Sequence, residues 1–266
     1  MKTRVSIFFA AILLCGSAYA QKISVGVRGG ISIPNLTASG EDTTPLSEGY
    51  SSRIGPGFAV FAEYRFSNLF SIQPAIEYSA QGGKKDKFQA MEVPAEIAPL
   101  LQANLPTGVP MPDYLYADFK SEAKFNYLLV PVLAKFGWDL GASSPFRVYV
   151  NAGPFVGFLL DAKQVTNGTS EIFLDSDGQI PLRMNPTTPF PQDLSAETNI
   201  KDRLNRVNVG FEGNVGFAYR IGRNSIFVEG GGNYGLIKIQ KKDDNGNIGR
   251  NNTGAGTVMV GYAIAL

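Results

Sequence analysis

Strict alternation of apolar and polar residues is the feature that most limits what this chain can fold into. In the segment Val207–Ile221, the odd-numbered residues are mostly apolar, whereas the even-numbered ones include Asn208, Glu212 and Arg220. A period of two residues over such a length is typical of a β-strand longer than most strands of soluble proteins. Because one face suits hydrocarbon and the other carries charge, the segment suits the wall of a membrane barrel.

Strand-like segments of this kind recur along the whole chain. The predicted strands are residues 22–33, 56–66, 69–81, 125–138, 146–161, 204–221, 225–237 and 255–266. Tight turns and long loops alternate between them, as in bacterial barrels, for which eight strands is the smallest usual number. The predicted fold class is all-β: an eight-stranded antiparallel transmembrane up-and-down β-barrel with short periplasmic turns and long extracellular loops.

The first twenty residues have the features of a secretory signal peptide. A basic start and an apolar run precede Ala18, Ala20 and Gln21, which predicts cleavage after Ala20. The predicted domains are therefore a signal peptide, 1–20, and a barrel, 21–266. No later segment has enough uninterrupted apolar residues for a helical span, so a membrane-embedded chain would cross as a closed sheet. The predicted location is the outer membrane of a Gram-negative bacterium.

Charge, cysteine and histidine content exclude several functions. The chain has 24 basic and 23 acidic residues, and this balance argues against a nucleic-acid partner. The one cysteine, Cys15, would leave with the signal peptide, and histidine, the most common general base, is absent from the sequence. We expect a non-enzymatic, monomeric barrel without cofactor or metal. Its expected partners are membrane lipid and a protein that contacts the extracellular loops or periplasmic turns.

Parity assigns a set of charged residues to the barrel interior, because alternate side chains of a strand point to opposite faces. An eight-stranded barrel is only wide enough for its own side chains, and the charges nearly cancel, which predicts a salt-bridged filling. An ion pathway and a catalytic carboxylate pair are the alternatives. The predicted interior residues are Arg28, Glu63, Arg65, Glu77, Lys135, Arg147, Glu212, Arg220 and Glu229.

Aromatic residues on the outward parity recur near both ends of the strands and predict two lipid-facing girdles. The segment from Phe58 to Phe66 would cover roughly 20 Å of height at about 3.3 Å per residue and a tilt of about 40°. One girdle would contain Phe66, Phe70, Phe136, Trp138, Phe146 and Tyr219, and the other Phe58, Tyr78, Phe158, Phe211 and Tyr234.

Prolines inside three predicted strands interrupt this simple pattern. Pro74, Pro131 and Pro154 each lack the N–H that a ladder needs, so a bulge or a broken ladder bond is expected near each. The fourth strand is also less regular, because Leu129 and other apolar residues share a face with Lys135.

The long connections carry three local predictions. Residues 82–124 are predicted to be a loop with a short helix broken near Pro99, which caps the barrel or meets a partner. Asn167-Gly168 is a type I′ hairpin signal. Residues 175–178 and 243–247 resemble parts of calcium loops, but neither completes one, and their composition favours turns.

The same strands resemble outer-membrane β-barrel proteins of the PorT-like type from Bacteroidota. The matching stretches are 27–31, 70–79, 126–136, 151–160 and 233–236, and the similarity covers essentially the whole mature chain. The family carries prolines at similar positions, and often an acidic residue where this chain has Leu129. For some members the resemblance implies a need in secretion through the type IX system, but fold alone does not carry function.

The leading functional prediction is a structural, binding or secretion-associated outer-membrane protein that acts through its extracellular loops. A narrow, porin-like channel is the alternative. A soluble lipocalin-like barrel is the rival fold, in which apolar residues would be buried and charges exposed.

Overall fold

The computed structural model describes residues 22–38, 45–46, 48–94, 98–105, 110–183, 191–241 and 251–266. It consists almost entirely of strands, with one short α-helix and a 3₁₀ turn at Lys201–Arg203. In chain order the elements are β1 (Ile23–Ala38), β2 (Gly55–Arg65), β3 (Phe70–Glu92), α1 (Ala98–Asn104), β4 (Tyr114–Asp139), β5 (Phe146–Asn167), β6 (Thr169–Ser170), β7 (Gln192–Asp193), β8 (Ala196–Asn199), β9 (Val207–Ile221), β10 (Asn224–Gly235) and β11 (Asn251–Ala265).

Eight of these strands close into a ring. Their order around it is β1, β2, β3, β4, β5, β9, β10 and β11, with every neighbouring pair antiparallel. The ring closes where β11 pairs with β1, from Ser24 opposite Ala265 to Ala38 opposite Asn251. A closed ring leaves no unpaired edge within its wall, as a sheet inside a membrane requires. The predicted barrel is therefore confirmed.

The wall exposes its apolar side chains and buries its polar ones. In β9 the odd-numbered residues point outward, and Val215 is 63% exposed, whereas Asn208, Glu212 and Asn214 are buried. This arrangement suits hydrocarbon outside the barrel. It also excludes the lipocalin-like alternative, which required the opposite facing. Among the described residues, no helix has the length and apolar character of a membrane span.

The two ends of the barrel differ in their connections. At one end, β2–β3, β4–β5 and β9–β10 are joined by short turns, two of which place Gly141 and Gly222 at positive φ. Glycine suits these positions because it has no side chain that would clash. The long connections lie at the opposite end, as the alternation of loop lengths predicted.

Each of the three prolines that were predicted to interrupt a strand lies in a gap of a ladder, whereas Pro34 and Pro56 lie in continuous ladders. Pro74 lies in a gap between β2 and β3, Pro131 in one between β3 and β4, and Pro154 in one between β4 and β5. The register is the same on both sides of each gap, so the missing N–H breaks ladder bonds without adding a residue. The expected broken bonds are therefore confirmed. A register shift occurs elsewhere, between Asn126 and Tyr127.

Three strands continue far beyond the rest of the wall on the long-loop side. Residues 82–92 of β3 pair with residues 114–124 of β4, and residues 161–167 of β5 pair with residues 120–126 of β4. From Tyr78 to Glu92 the strand extends by about 46 Å at 3.3 Å per residue. We call the described parts of residues 82–124 and 161–199 the lobe.

The prediction of a loop over residues 82–124 is wrong, since most of this segment is strand. The predicted break near Pro99 is also wrong, because α1 begins beside this residue, at Ala98. A proline in the first turn of a helix costs little, since its missing N–H would have no partner within the helix.

The hairpin predicted at Asn167-Gly168 does not form. The end of β5 pairs with β8, and β6 pairs with β7, so the two flanks of the dipeptide are not partners. A type I′ turn needs positive φ at both central residues. Here Gly168 has a φ of 149°, and no described residue other than glycine has positive φ.

Candidate functional site

The centre of the barrel is occupied by one arginine and three glutamates. Arg28 on β1 donates to Glu77 on β3 at 2.6 Å, to Glu212 on β9 at 2.8 Å and to Glu229 on β10 at 2.6 Å. All four side chains are almost completely buried. Strict alternation in each strand brings these residues to the same interior face. The structure thus unites four of the predicted interior charges, which we call the Arg28 cluster.

Neutral side chains complete the Arg28 cluster. Tyr149 donates its hydroxyl to Glu229 at 2.9 Å, and Asn214 donates to both Glu212 and Asn151 at 3.0 Å. Buried charges are costly unless they are paired and hydrogen-bonded, so these donors offset part of the cost of holding three carboxyl groups around one guanidinium. Tyr149, Asn151 and Asn214 lie on inward parity but carry no charge, so they were not among the predicted interior charges.

A second charged pair lies beside this cluster. Lys135 on β4 donates to Glu63 on β2 at 2.8 Å, and Ser71 donates to the same carboxylate at 2.9 Å. The Lys135 ammonium also lies 4.0 Å from the ring centroid of Tyr149, which connects the pair to the Arg28 cluster. Arg65 was predicted in the same network. Its Nε is buried without a hydrogen-bond partner among the described residues.

The remaining two predicted charges lie at the short-turn end of the barrel. Arg147 donates to Asp139 at 2.8 Å and to the carbonyl of Asn68 at 2.7 Å, and Arg220 lies 3.1 Å from Asp139. These contacts hold two turns together rather than fill the interior. Asp139 was not predicted, because it lies at the very end of β4.

The interior near the long-loop end contains an apolar cluster beside a hydrogen-bonded group formed by Gln81, Asn233 and Thr253. One member of the apolar cluster is Leu129, 1% exposed, which lies where PorT-like proteins often have an acidic residue. Tyr50 and Ile200 pack against the apolar cluster from the connections above it. Its buried members are Leu36, Ala123, Phe125, Tyr127, Leu129, Phe155, Leu159, Ala162, Leu204 and Ile239. The barrel interior is therefore filled by charged, polar and apolar side chains, and we call the cluster that contains Leu129 the apolar plug.

The predicted girdle residues lie on the outer surface. All are exposed except Phe70 and Tyr78, which are half-buried against neighbours. Phe70 lies between Phe66 at 5.5 Å and Phe136 at 5.1 Å, measured between ring centroids, and Tyr78 stacks on Phe58 at 5.0 Å. Such contacts between neighbouring strands fix the rings where aromatic side chains favour the membrane interface.

The lobe has an apolar core of its own, separate from the barrel interior. Leu101 of α1, Leu115 of β4 and Ile172 are buried together. Partly buried residues surround them: Met91, Val93, Leu105, Leu174, Leu182 and Leu194. A separate core allows the lobe to keep a defined shape beyond the membrane.

Lys85 anchors the connection between β1 and β2 to the base of the lobe. It donates to the carbonyls of Leu46 at 2.8 Å and Pro45 at 3.3 Å, and its ammonium lies 4.4 Å from the ring centroid of Tyr50. Burial, with a smaller contribution from nearby Lys87, lowers the pKa of Lys85 to about 8.

Asp175 forms a turn rather than a calcium site. Its carboxylate accepts the backbone N–H groups of Gln179 and Ile180, and these bonds lower the pKa of Asp175. Within the described ranges, no three His, Cys, Asp or Glu side chains are grouped as metal ligands would be. Residues 243–247 lie outside the described residues, as do Ala18, Ala20 and Gln21 of the predicted cleavage site.

A closed eight-stranded ring with an apolar outer face and a filled interior defines a transmembrane β-barrel. The family model described as outer membrane protein beta-barrel domain matches residues 19–241, and the chain belongs to this family. Its short turns are accordingly periplasmic and its lobe is extracellular. No curated protein matches the sequence.

Solved outer-membrane proteins are similar to this chain at low identity. Neisserial surface protein A is 12% identical over 91% of this chain and 97% of its own, with a TM-score of 0.37. Ail of Yersinia pestis is 10% identical over 91% of this chain and 99% of the Ail chain, with a TM-score of 0.35. OprG of Pseudomonas aeruginosa is 9% identical over 92% of this chain and 96% of the OprG chain, with a TM-score of 0.36.

Proposed function

We propose that this protein is a non-conducting, non-enzymatic outer-membrane barrel that binds a protein partner through its extracellular lobe. The observation that carries the proposal is the lobe itself, in which strands of the wall continue into a projection with a separate core at Leu101, Leu115 and Ile172. Ordering this many residues outside the membrane is costly in conformational entropy. A barrel that served only to span the bilayer would not need such a structure.

The filled interior supports the non-conducting part of the proposal. Ions would have to pass both the Arg28 cluster and the apolar plug around Leu129. We expect purified protein in planar bilayers to show no conductance above background. Discrete, reproducible conductance steps would instead support the channel alternative.

The resemblance to PorT-like proteins suggests that the partner is an exported protein. The test is a strain without the gene, complemented either with the intact gene or with a variant in which Asn-Gly replaces residues 87–119. This replacement joins the opposed pair Asp86 and Lys120 by a two-residue turn and leaves the barrel wall intact.

We expect deletion to remove a set of proteins from the cell surface or medium, and only the intact gene to restore them. Restoration by the shortened variant would show that residues 87–119 of the lobe are dispensable. An unchanged protein set after deletion would reject the secretion role. A heat-dependent gel mobility shift provides the control that the shortened barrel is folded.

A further inference from the structure

A groove of about 340 Å³ crosses the outer face of the wall at the base of the lobe. It extends from the start of β2 over β3, β4 and β5 to β8. Three cationic side chains, Arg53, Lys124 and Lys163, border it, together with the carboxylates of Asp161 and Glu197. The lining therefore carries three cations and two carboxylates, and a third carboxylate, that of Glu122, lies 3.3 Å from both Arg53 and Lys124.

The register places this groove at the level of lipid headgroups. Tyr78 lies opposite Leu128, which lies opposite Phe158, so the upper girdle is one row across three strands. Lys124 follows four residues beyond Leu128, about 13 Å along the strand or about 10 Å in height at a tilt near 40°. Hydrocarbon ends near the girdle, and the headgroup region begins there.

The two lysines of the groove lie close together, although each also contacts a carboxylate of the protein. Lys124 lies directly opposite Lys163 on the outer face, and such like-charge pairs destabilise a sheet. Lys163 Nζ lies 2.6 Å from Glu197 Oε1. Lys124 Nζ lies 3.3 Å from Glu122 Oε2, and the other carboxylate oxygen of Glu122 faces Arg53. Arg53 Nε lies 3.3 Å from Glu122 Oε1 without hydrogen-bond geometry, and Arg53 Nη1 donates to the carbonyl of Gln81 at 3.2 Å.

We propose that this groove binds a phosphorylated glycolipid headgroup of the outer leaflet, with one phosphate between Lys124 and Lys163. A phosphate there accepts charge-assisted hydrogen bonds from both ammonium groups and removes their repulsion. Arg53 borders the same groove. Asp161 and Asn126 offer oxygen acceptors for sugar hydroxyls. Because the groove lies just above the girdle, at the level of lipid headgroups, its occupant would come from the membrane rather than from the surrounding solution.

The test compares binding of three probes to folded protein in detergent: bisphosphorylated lipid A, dephosphorylated lipid A and inorganic phosphate. Native mass spectrometry measures the bound fraction. We expect the double variant K124Q/K163Q to lower affinity for bisphosphorylated lipid A at least tenfold. Dephosphorylated lipid A should bind both proteins equally and weakly.

The double variant K84Q/K120Q is the matched control. It removes the same charge from the same outer face of the lobe, where Lys84 lies opposite Glu122 and Lys120 opposite Asp86. Its affinity for bisphosphorylated lipid A should stay within twofold of the parent protein. The heat-dependent gel shift confirms that each variant is folded.

Three results would overturn the proposal. The first is equal binding of bisphosphorylated lipid A by the parent and K124Q/K163Q. The second is an equal loss in the K84Q/K120Q control, which would indicate general charge attraction. The third is inorganic phosphate binding as tightly as the lipid, which would assign the site to a soluble anion. None of these outcomes bears on the partner proposed for the lobe.

Discussion

Arg28 Nη1 donates a 2.6 Å hydrogen bond to Glu229 Oε1, although 201 positions separate the two residues in the chain. The same guanidinium also contacts Glu77 and Glu212, so one side chain connects β1, β3, β9 and β10. These strands come together only when the ring is closed. The Arg28 cluster is therefore a marker of complete barrel assembly.

Replacing Arg28 with Met should lower the free energy of unfolding by about 3–5 kcal/mol, because three buried carboxyl groups lose their shared cation. Urea unfolding in lipid vesicles measures this change. Arg206, whose pair with Asp202 is exposed, provides the control, and its replacement by Gln should change stability by no more than about 0.5 kcal/mol. A loss below about 1 kcal/mol for Arg28→Met would contradict a central role for the cluster.

Leu129→Ala should cost about 2–5 kcal/mol, because it opens a cavity in the apolar plug. Leu129→Asp should cost more, because Leu129 packs with Phe125 and Phe155 and its cross-strand partner, Glu77, already shares Arg28 with two other carboxylates. The adjacent Val130 points outward to lipid and is the matched control. Equal losses for Leu129→Ala and Val130→Ala in the same unfolding assay would argue against a packed plug.

Leu115→Ala should loosen the lobe without unfolding the barrel, because Leu115 is completely buried in the lobe core and distant from the barrel interior. We expect faster proteolysis within residues 93–113 and an unchanged heat-dependent gel shift. Met111→Ala, at an exposed position in the same connection, should leave the cleavage rate unchanged. Loss of the gel shift in Leu115→Ala would show that lobe and barrel fold as one unit.

Lys85 should make stability depend on pH. Burial lowers its pKa to about 8 in the folded protein, against 10.5 for an ordinary lysine. Between these values the unfolded chain binds more protons than the folded one, so stability should rise with pH across that window. Unfolding of the parent protein and of Lys85→Met, measured from pH 7 to pH 10.5, tests the effect. A difference between the two proteins that stays constant with pH would contradict it.

Sequence alternation predicted the barrel but not the lobe, for a reason visible in the residues. In Val207–Ile221 the charges keep to one face, so the period of two is plain. At the start of the lobe, Lys84, Lys85, Asp86 and Lys87 are consecutive charges that hide the alternation. The burial of Lys85 depends on carbonyl groups of the β1–β2 connection, and no local pattern reports such a contact.

Parity was likewise sufficient to place most of the predicted charges in the interior, except Arg147 and Arg220 at the short-turn end, but not to identify their partners. The three carboxylates of the Arg28 cluster come from three strands, and their pairing depends on the register of the ring. Nothing in the sequence distinguishes Tyr149 and Asn214 from other strand residues. They reach Glu229 and Glu212 because the register brings them within hydrogen-bonding distance. Leu129 was seen to share a face with Lys135, yet its surroundings become apolar only because Phe155 and Leu159 of β5 lie beside it.

The ladder gaps at Pro74, Pro131 and Pro154 all lie between β2 and β5, the side of the barrel that carries the lobe. Each gap removes cross-strand bonds locally within the wall, whereas the ladders from β9 to β1 are uninterrupted. We therefore expect amide hydrogen exchange to be faster on this side of the wall. A force applied to the lobe would therefore deform the interrupted ladders between β2 and β5 first, before it reached the uninterrupted ladders from β9 to β1.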